Sequence, residues 1–375
     1  MMMILYVALG VVLGFVLLIL LVWFWLKWKF RSFAAKFADE FANAMAQIGG
    51  MAPPLRIDLE PLHDARWSDI DKSYLISDTL AELGYEPDGL FEAFAPVQLA
   101  IQGFKNNQRS CFAALYEVKP LGSVYLDLGA EFSDGSFITV SNTPDDGLDH
   151  PDFSKIIRLE HLDLSEAEHI REMHARLCEA LQGKTVLDQT DAHFADVFQK
   201  HWAKTMDWRM ERGGMTTEEA IRISAKNGEP DPSEEEIELA KRPWKQQIDN
   251  FITDQIRQDY LDHTNMSGKE WEETLDRLVI VHEHSEAFHL IDTLTDTICY
   301  ESDLDDEEDD DEAADPYLKA QQELNQIFRA EPSVMDAFHR ALELLPPDRK
   351  YTLQTTTETP WKSEIYLSPK YYDEY

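Results

Sequence analysis

The sequence predicts an α+β protein with an N-terminal single transmembrane helix, an antiparallel β-meander domain with flanking helices, and then a mainly α-helical domain. Three observations predict it. Residues 4–26 form an uncharged apolar run of 23 residues. Between residues 97 and 140, short runs alternate apolar and polar side chains, the period of half-buried strands. From Leu164 onward the apolar spacing becomes that of helices.

At about 1.5 Å per residue, the first run is about 34 Å long as a helix, enough to cross a hydrocarbon core of ~30 Å. A cleaved signal peptide would bring a basic amino end, a shorter apolar core and a small-residue cleavage site. This run instead starts after Met1 to Met3 and ends among Trp23, Trp25 and Trp28, side chains suited to the headgroup level. Lys27, Lys29, Arg31 and Lys36 follow directly, so the positive-inside tendency places the remaining body in the cytoplasm. The expected location is therefore the cell membrane, in a single pass through residues 4–26. Residues 1–26 make up this anchor region, and Gly10-x-x-x-Gly14 within it gives the small-residue spacing that lets two membrane helices approach as a homodimer.

Residues 27–50 continue as a juxtamembrane amphipathic helix, with Phe30, Phe33, Phe37, Phe41, Ala44 and Ile48 on one stripe. Gly49-Gly50 ends it, and Pro53, Pro54 and Pro61 mark residues 51–66 as a linker. The α+β domain spans residues 67–163. Its helix carries Leu75, Ile76, Leu80 and Leu83 and stops at Gly84. Strands are expected over Val97–Gln102, Cys111–Val118, Val124–Phe132 and Phe137–Val140, the last entered through Asp134-Gly135, with Ile156-Ile157 as a short fifth. Short connections imply antiparallel neighbours.

Residues 164–300 read as the helical domain. Thr216 with Glu219, Ser233 with Glu236 and Ser267 with Glu270 each fit a capping box, and Pro243 is expected to kink or split its helix. Residues 301–316 form an acidic linker, because ten of the twelve side chains from 301 to 312 are acidic and repel one another. This run lacks the glycine that a calcium loop needs to turn. Residues 317–375 hold two short helices, the second from near Ser333, a hairpin of Tyr351–Thr357 with Ser363–Leu367, and an aromatic, acidic tail.

A net charge of −37 argues against nucleic acid as a partner. Cys111, Cys178 and Cys299 are too few and too far apart for a disulfide framework or a zinc ribbon, and Cys178 and Cys299 read as buried packing residues of helices. Gly183-Lys184-Thr185 lacks the upstream glycine and strand of a phosphate loop, so Gly183 is assigned to a helix end. Asp191, His193 and His201 sit among Phe194, Phe198, Trp202 and Trp208 on what reads as a core helix.

One constellation bears on metal chemistry. On a single helix over 267–300, His282, Glu286, His289 and Asp296 would share one side. Glu286-x-x-His289 has the spacing that di-iron bundles use, and Glu166-x-x-His169 repeats it. Chance supplies such pairs readily in so acidic a chain. The candidate ligands for a transition metal are nevertheless His282, Glu286 and His289. No residue is assigned to catalysis or to another cofactor, and the sequence leaves open whether the chain is an enzyme. The functional expectation is a membrane-tethered cytoplasmic interaction or scaffold protein with a protein partner. The alternatives are a metal-dependent enzyme built on those three residues and a small-ligand sensor using the α+β domain.

Overall fold

The computed structural model describes residues 52–95, 97–119, 121–228, 230–264, 268–275, 277–299 and 316–369. The expected anchor, the 27–50 helix, Gly10 and Gly14, Ser267, the acidic run 301–312 and the 371–375 tail lie outside these residues. Among the described residues, no helix is long and apolar enough to cross a membrane. The chain is α+β and divides into two compact units. The first includes Asp58–Pro144 and Ile156–Ala195; the second includes Pro54–Ile57, Asp145–Lys155 and Asp196–Tyr375.

In the first unit, helix α1 (Ile70–Glu82) begins where the Asp69 side chain accepts the Lys72 N–H, and it ends at Gly84, whose φ of +87° a side chain would strain. Seven strands follow one another in space as in sequence: β1 (Glu60–Pro61), β2 (Glu86–Phe94), β3 (Gln98–Asn106), β4 (Cys111–Val118), β5 (Ser123–Glu131), β6 (Phe137–Ser141) and β7 (Ser154–Arg158). The pairings from β1 to β6 are antiparallel. Register sets the core: Leu115 faces Leu126 and Ala113 faces Leu128, so these four side chains share one face of the sheet. Helix α1 covers that face with Ile76 and Leu80, and α2 (Ala167–Leu181) with Ile170, Met173 and Leu177 at helical spacing. Gly183 follows α2 with φ +73°.

Strand β2 was not expected, because Pro87, Asp88 and Gly89 interrupt its pattern; the register shifts between Pro87 and Leu90, a bulge that absorbs them. On the opposite face of the sheet Phe194 stacks on Phe91, their centroids 6.1 Å apart. At one end of β4, fully buried Glu117 accepts the backbone N–H and the hydroxyl of Ser68. Lys119 completes this node, bonding Glu117 at 3.0 Å and the Ala65 carbonyl at 2.7 Å.

Helix α3 (Phe194–Glu211) starts in the first unit and continues in the second from Asp196, where α4 (Thr217–Lys226) and α5 (Glu234–His263) follow. Both described capping boxes form, Thr216 with Glu219 and Ser233 with Glu236. Pro243 does not split α5, which runs through it for 30 residues. The carbonyl that it leaves without an N–H partner belongs to Leu239, an exposed residue, where water can take the bond.

The continuous helix expected over 267–300 is not present. The segment is helix α6 (Gly268–Leu275), strand β8 (Leu278–His282) and helix α7 (Ala287–Cys299). Leu278-Val-Ile-Val-His282 is a β-branched run, and it pairs with β10 (Ser363–Leu367), which also pairs with β9 (Thr352–Thr357). The expected hairpin is thus the other part of a three-stranded antiparallel sheet. Helices α7, α8 (Pro316–Ala330) and α9 (Val334–Leu342) pack with it through Val281, Leu294, Leu324, Phe338 and Tyr366.

Candidate functional site

Helix α5 buries Trp244, Ile248, Ile252 and Ile256, and in the same stripe it buries Asp249. A carboxylate inside an apolar stripe must be satisfied by donors. Four converge on it. His282 Nε2 lies 3.0 Å from Oδ1, and His289 Nδ1 lies 3.3 Å from Oδ2. The Glu286 backbone N–H donates to Oδ2 at 3.0 Å, and the Thr253 hydroxyl reaches Oδ1 at 3.4 Å. Burial pushes the Asp249 carboxyl up, but the bonds from His282, the Glu286 N–H and His289 outweigh it and hold the group below the usual carboxylate range.

The strand-to-helix turn fixes the His282 tautomer. Its Nδ1 accepts the His284 backbone N–H at 3.2 Å, so the ring proton sits on Nε2 and donates to Asp249. The same turn is closed twice more: the His282 N–H donates to Ser285 Oγ at 3.0 Å, and the Ser285 N–H to the His282 carbonyl at 3.0 Å. These three bonds tie His282, His284 and Ser285 together. Residues 284–287 form one wall of an open cleft of about 370 Å³, whose other walls are Lys245 and Ile248 of α5 and Gly213. Lys245 is paired with Glu238 at 2.8 Å. Burial lowers the pKa of His284 in this wall.

The structure therefore brings two of the three predicted ligand residues together by a route different from the one expected. His282 ends a strand and His289 sits on the following helix, and Asp249 joins them. Glu286 contributes its backbone N–H; its carboxylate turns to the Phe288 N–H at 2.9 Å, at the start of α7. Asp296 is not part of the node, and neighbouring Asp292 accepts the Tyr317 hydroxyl at 3.1 Å. Glu166 and His169 lie at the start of α2 in the first unit, 3.8 Å apart. Asp191 and His193 precede α3 rather than lying on it, and His193 pairs with Asp88 at 3.3 Å. His201 meets the Ser154 hydroxyl at 3.3 Å. Among the described residues, no three His, Cys, Asp or Glu side chains are arranged to hold a metal ion.

Asp249 is the residue that motif spacing misses. Its signal was an acid in register with Trp244, Ile248, Ile252 and Ile256, a charge on the buried side of an amphipathic helix. His282 has no exposed surface and both of its ring nitrogens are engaged, whereas the His289 side chain is 45% exposed. No protein-family model, curated protein or solved structure matches the chain.

Proposed function

We propose that the chain is a membrane-tethered interaction protein, and that the cleft walled by residues 284–287 meets its protein partner. The observation that carries this reading is that both ring nitrogens of buried His282 are engaged. A general base or a metal ligand needs a lone pair directed at substrate or ion. The Nδ1 lone pair of His282 is directed at a backbone N–H and its Nε2 proton at Asp249. The node's hydrogen bonds go into fixing a loop beside an open concavity, and a loop already ordered loses little entropy on binding. The apolar run 4–26 with its basic flank supports the tether, and the charge of −37 argues against nucleic acid as the partner.

The test is a photo-cross-linking residue at Phe288, an exposed position next to Ala287 of the cleft wall, in the full chain in native membranes. The expected result is one discrete protein adduct that disappears when Ala287→Trp fills the cleft. No adduct, or the same adducts in the filled variant, would count against the reading. An alkaline carbonate wash should leave the chain in the membrane pellet; its release would remove the tether.

The metal-dependent reading has one observation in its favour. Asp249 Oδ2 and His289 Nδ1 are 3.3 Å apart, a separation that two ligands of one ion can span. Elemental analysis of chain purified without a histidine tag decides it: one transition-metal ion per chain, lost on His289→Ala, would move the assignment there. The sensor reading has less support, because the side of the meander facing α1 and α2 is filled with apolar side chains.

A further inference from the structure

The sequence places Cys178 among buried packing residues. In the structure it is half-buried, whereas Cys111 and Cys299 are buried. On α2, Cys178 Sγ lies 3.3 Å from Nε2 of His174, one turn earlier. The other ring nitrogen, Nδ1, lies 3.4 Å from the Tyr85 hydroxyl, and the Tyr85 ring meets the imidazole edge-on at 84°, 5.7 Å between centroids. Tyr85 and His174 are both buried, so the imidazole is screened from water on the side away from the sulfur. All three residues belong to the first unit.

A thiol within hydrogen-bond reach of an imidazole, with the imidazole steered by a third side chain, is the arrangement that activates a nucleophile. We propose that Cys178 is a nucleophilic thiol with His174 as its proton acceptor and Tyr85 as the residue positioning His174, and that small electrophiles of the peroxide class modify it. Two further features agree. Burial, with help from Arg109, keeps the His174 pKa below its ordinary value, which favours the uncharged ring as the resting state. Burial pushes the Cys111 thiol up to about 12, which leaves it protonated and unreactive near pH 7.

In the reaction, the Cys178 S–H proton passes to His174 Nε2, and Nδ1–H donates to the Tyr85 oxygen. The sulfur attacks one peroxide oxygen; an S–O bond forms as the O–O bond breaks. The departing hydroxide takes the proton from His174 and leaves as water. Sulfur is oxidised to the sulfenic acid and the peroxide is reduced. Two small thiols return it to the thiol, releasing water and their own disulfide. This inference does not depend on the cleft or on its partner.

The experiment is alkylation of the full chain in detergent with iodoacetamide, at pH 7 and pH 10, with each cysteine followed by mass spectrometry. Cys178 should react at least about tenfold faster than Cys111 and Cys299 at pH 7. His174→Gln should slow it about tenfold at pH 7 and leave it unchanged at pH 10, where the thiolate forms without a base. Tyr85→Phe should slow it by a smaller factor at pH 7 only. Hydrogen peroxide followed by a dimedone trap should label Cys178 alone. The Cys111 rate reports on folding: if it rises in His174→Gln, Tyr85→Phe carries the comparison. A pH 7 rate indifferent to both variants, or slowed equally at both pH values, would overturn the proposal.

Discussion

Arg209 and Glu219 meet at 2.5 Å with almost no exposed surface. Glu219 also closes the capping box of α4 with Thr216 and accepts the Asp149 N–H at 2.7 Å. Arg209 in turn donates to the Asp149 carbonyl at 2.5 Å, and its guanidinium lies 5.1 Å from the Trp208 ring centroid and 5.3 Å from that of Trp244. One buried pair therefore ties α3, α4 and the 145–155 segment together.

Glu219→Gln leaves Arg209 buried without its counter-charge, and the expected loss is about 3–5 kcal/mol. Urea unfolding followed by tryptophan fluorescence measures it; a loss under about 1 kcal/mol would mean that water reaches the pair. Burial pushes the Glu219 carboxyl up, but bonds from the Thr216 N–H, Arg209 and the Asp149 N–H hold it below the ordinary value of 4.5. The stability it gives is present above that ordinary value and is lost as pH falls through the lower folded one. Glu219→Gln should flatten the stability profile in that acid window.

Asp127 on β5 has the opposite sign. Burial pushes its carboxyl from 3.8 up to about 6, with the Ser141 hydrogen bond, Arg158 and Tyr116 opposing. A raised folded pKa means that stability is lost as pH rises through the window from about 4 to about 6. Asp127→Asn should therefore stabilise the chain at pH 7.5 by roughly 1–3 kcal/mol, a gain that shrinks as pH falls below 6 and disappears below about 4. Thermal melts across this range would settle it; a gain independent of pH would refute the assignment.

Gly103 on β3 has the Phe194 ring against it. A Cβ at this position would stand 2.2 Å from the nearest ring carbon, too close for both to stay. Gly103→Ala should displace Phe194 from its stack on Phe91 and destabilise the first unit by about 1–3 kcal/mol. The additional variant Phe194→Leu should recover part of that loss in the same unfolding measurement.

Asp249→Asn replaces an ionic acceptor with a neutral amide facing two histidines and one backbone N–H. The expected loss is about 1.5–3 kcal/mol, with hydrogen exchange rising at residues 283–287 before it rises elsewhere in the unit. If exchange in this segment stayed at its original rate, Asp249 would not be what holds the loop.

The parts of the fold carried by local periodicity were legible in the sequence. Leu126 and Leu128 alternate with Tyr125 and Asp127, and Ile170, Met173 and Leu177 repeat at helical spacing, so strand and helix announce themselves. Strand β8 did not, because its five residues lie between two helical patterns and acquire their conformation from pairing with β10, more than 80 residues later. The same event decided the site. His282 and His289 were found by spacing on an assumed helix; they come together only because a strand and a turn carry them to Asp249 on another helix. Local spacing could not show that convergence, nor could it show Tyr85 meeting His174 across the first unit.

The short segment Pro54–Ile57 is seated on the second unit at both ends. Trp202 donates its indole N–H to the Pro54 carbonyl at 2.9 Å, and Gln199 reaches the Ile57 carbonyl at 3.1 Å. Between them Leu55 is buried and Arg56 pairs with Asp207 at 2.6 Å. In mechanical terms, this segment is a strain relief. Two hydrogen bonds and an ion pair to α3 hold it in place, so a pull on Pro54–Ile57 loads these three bonds.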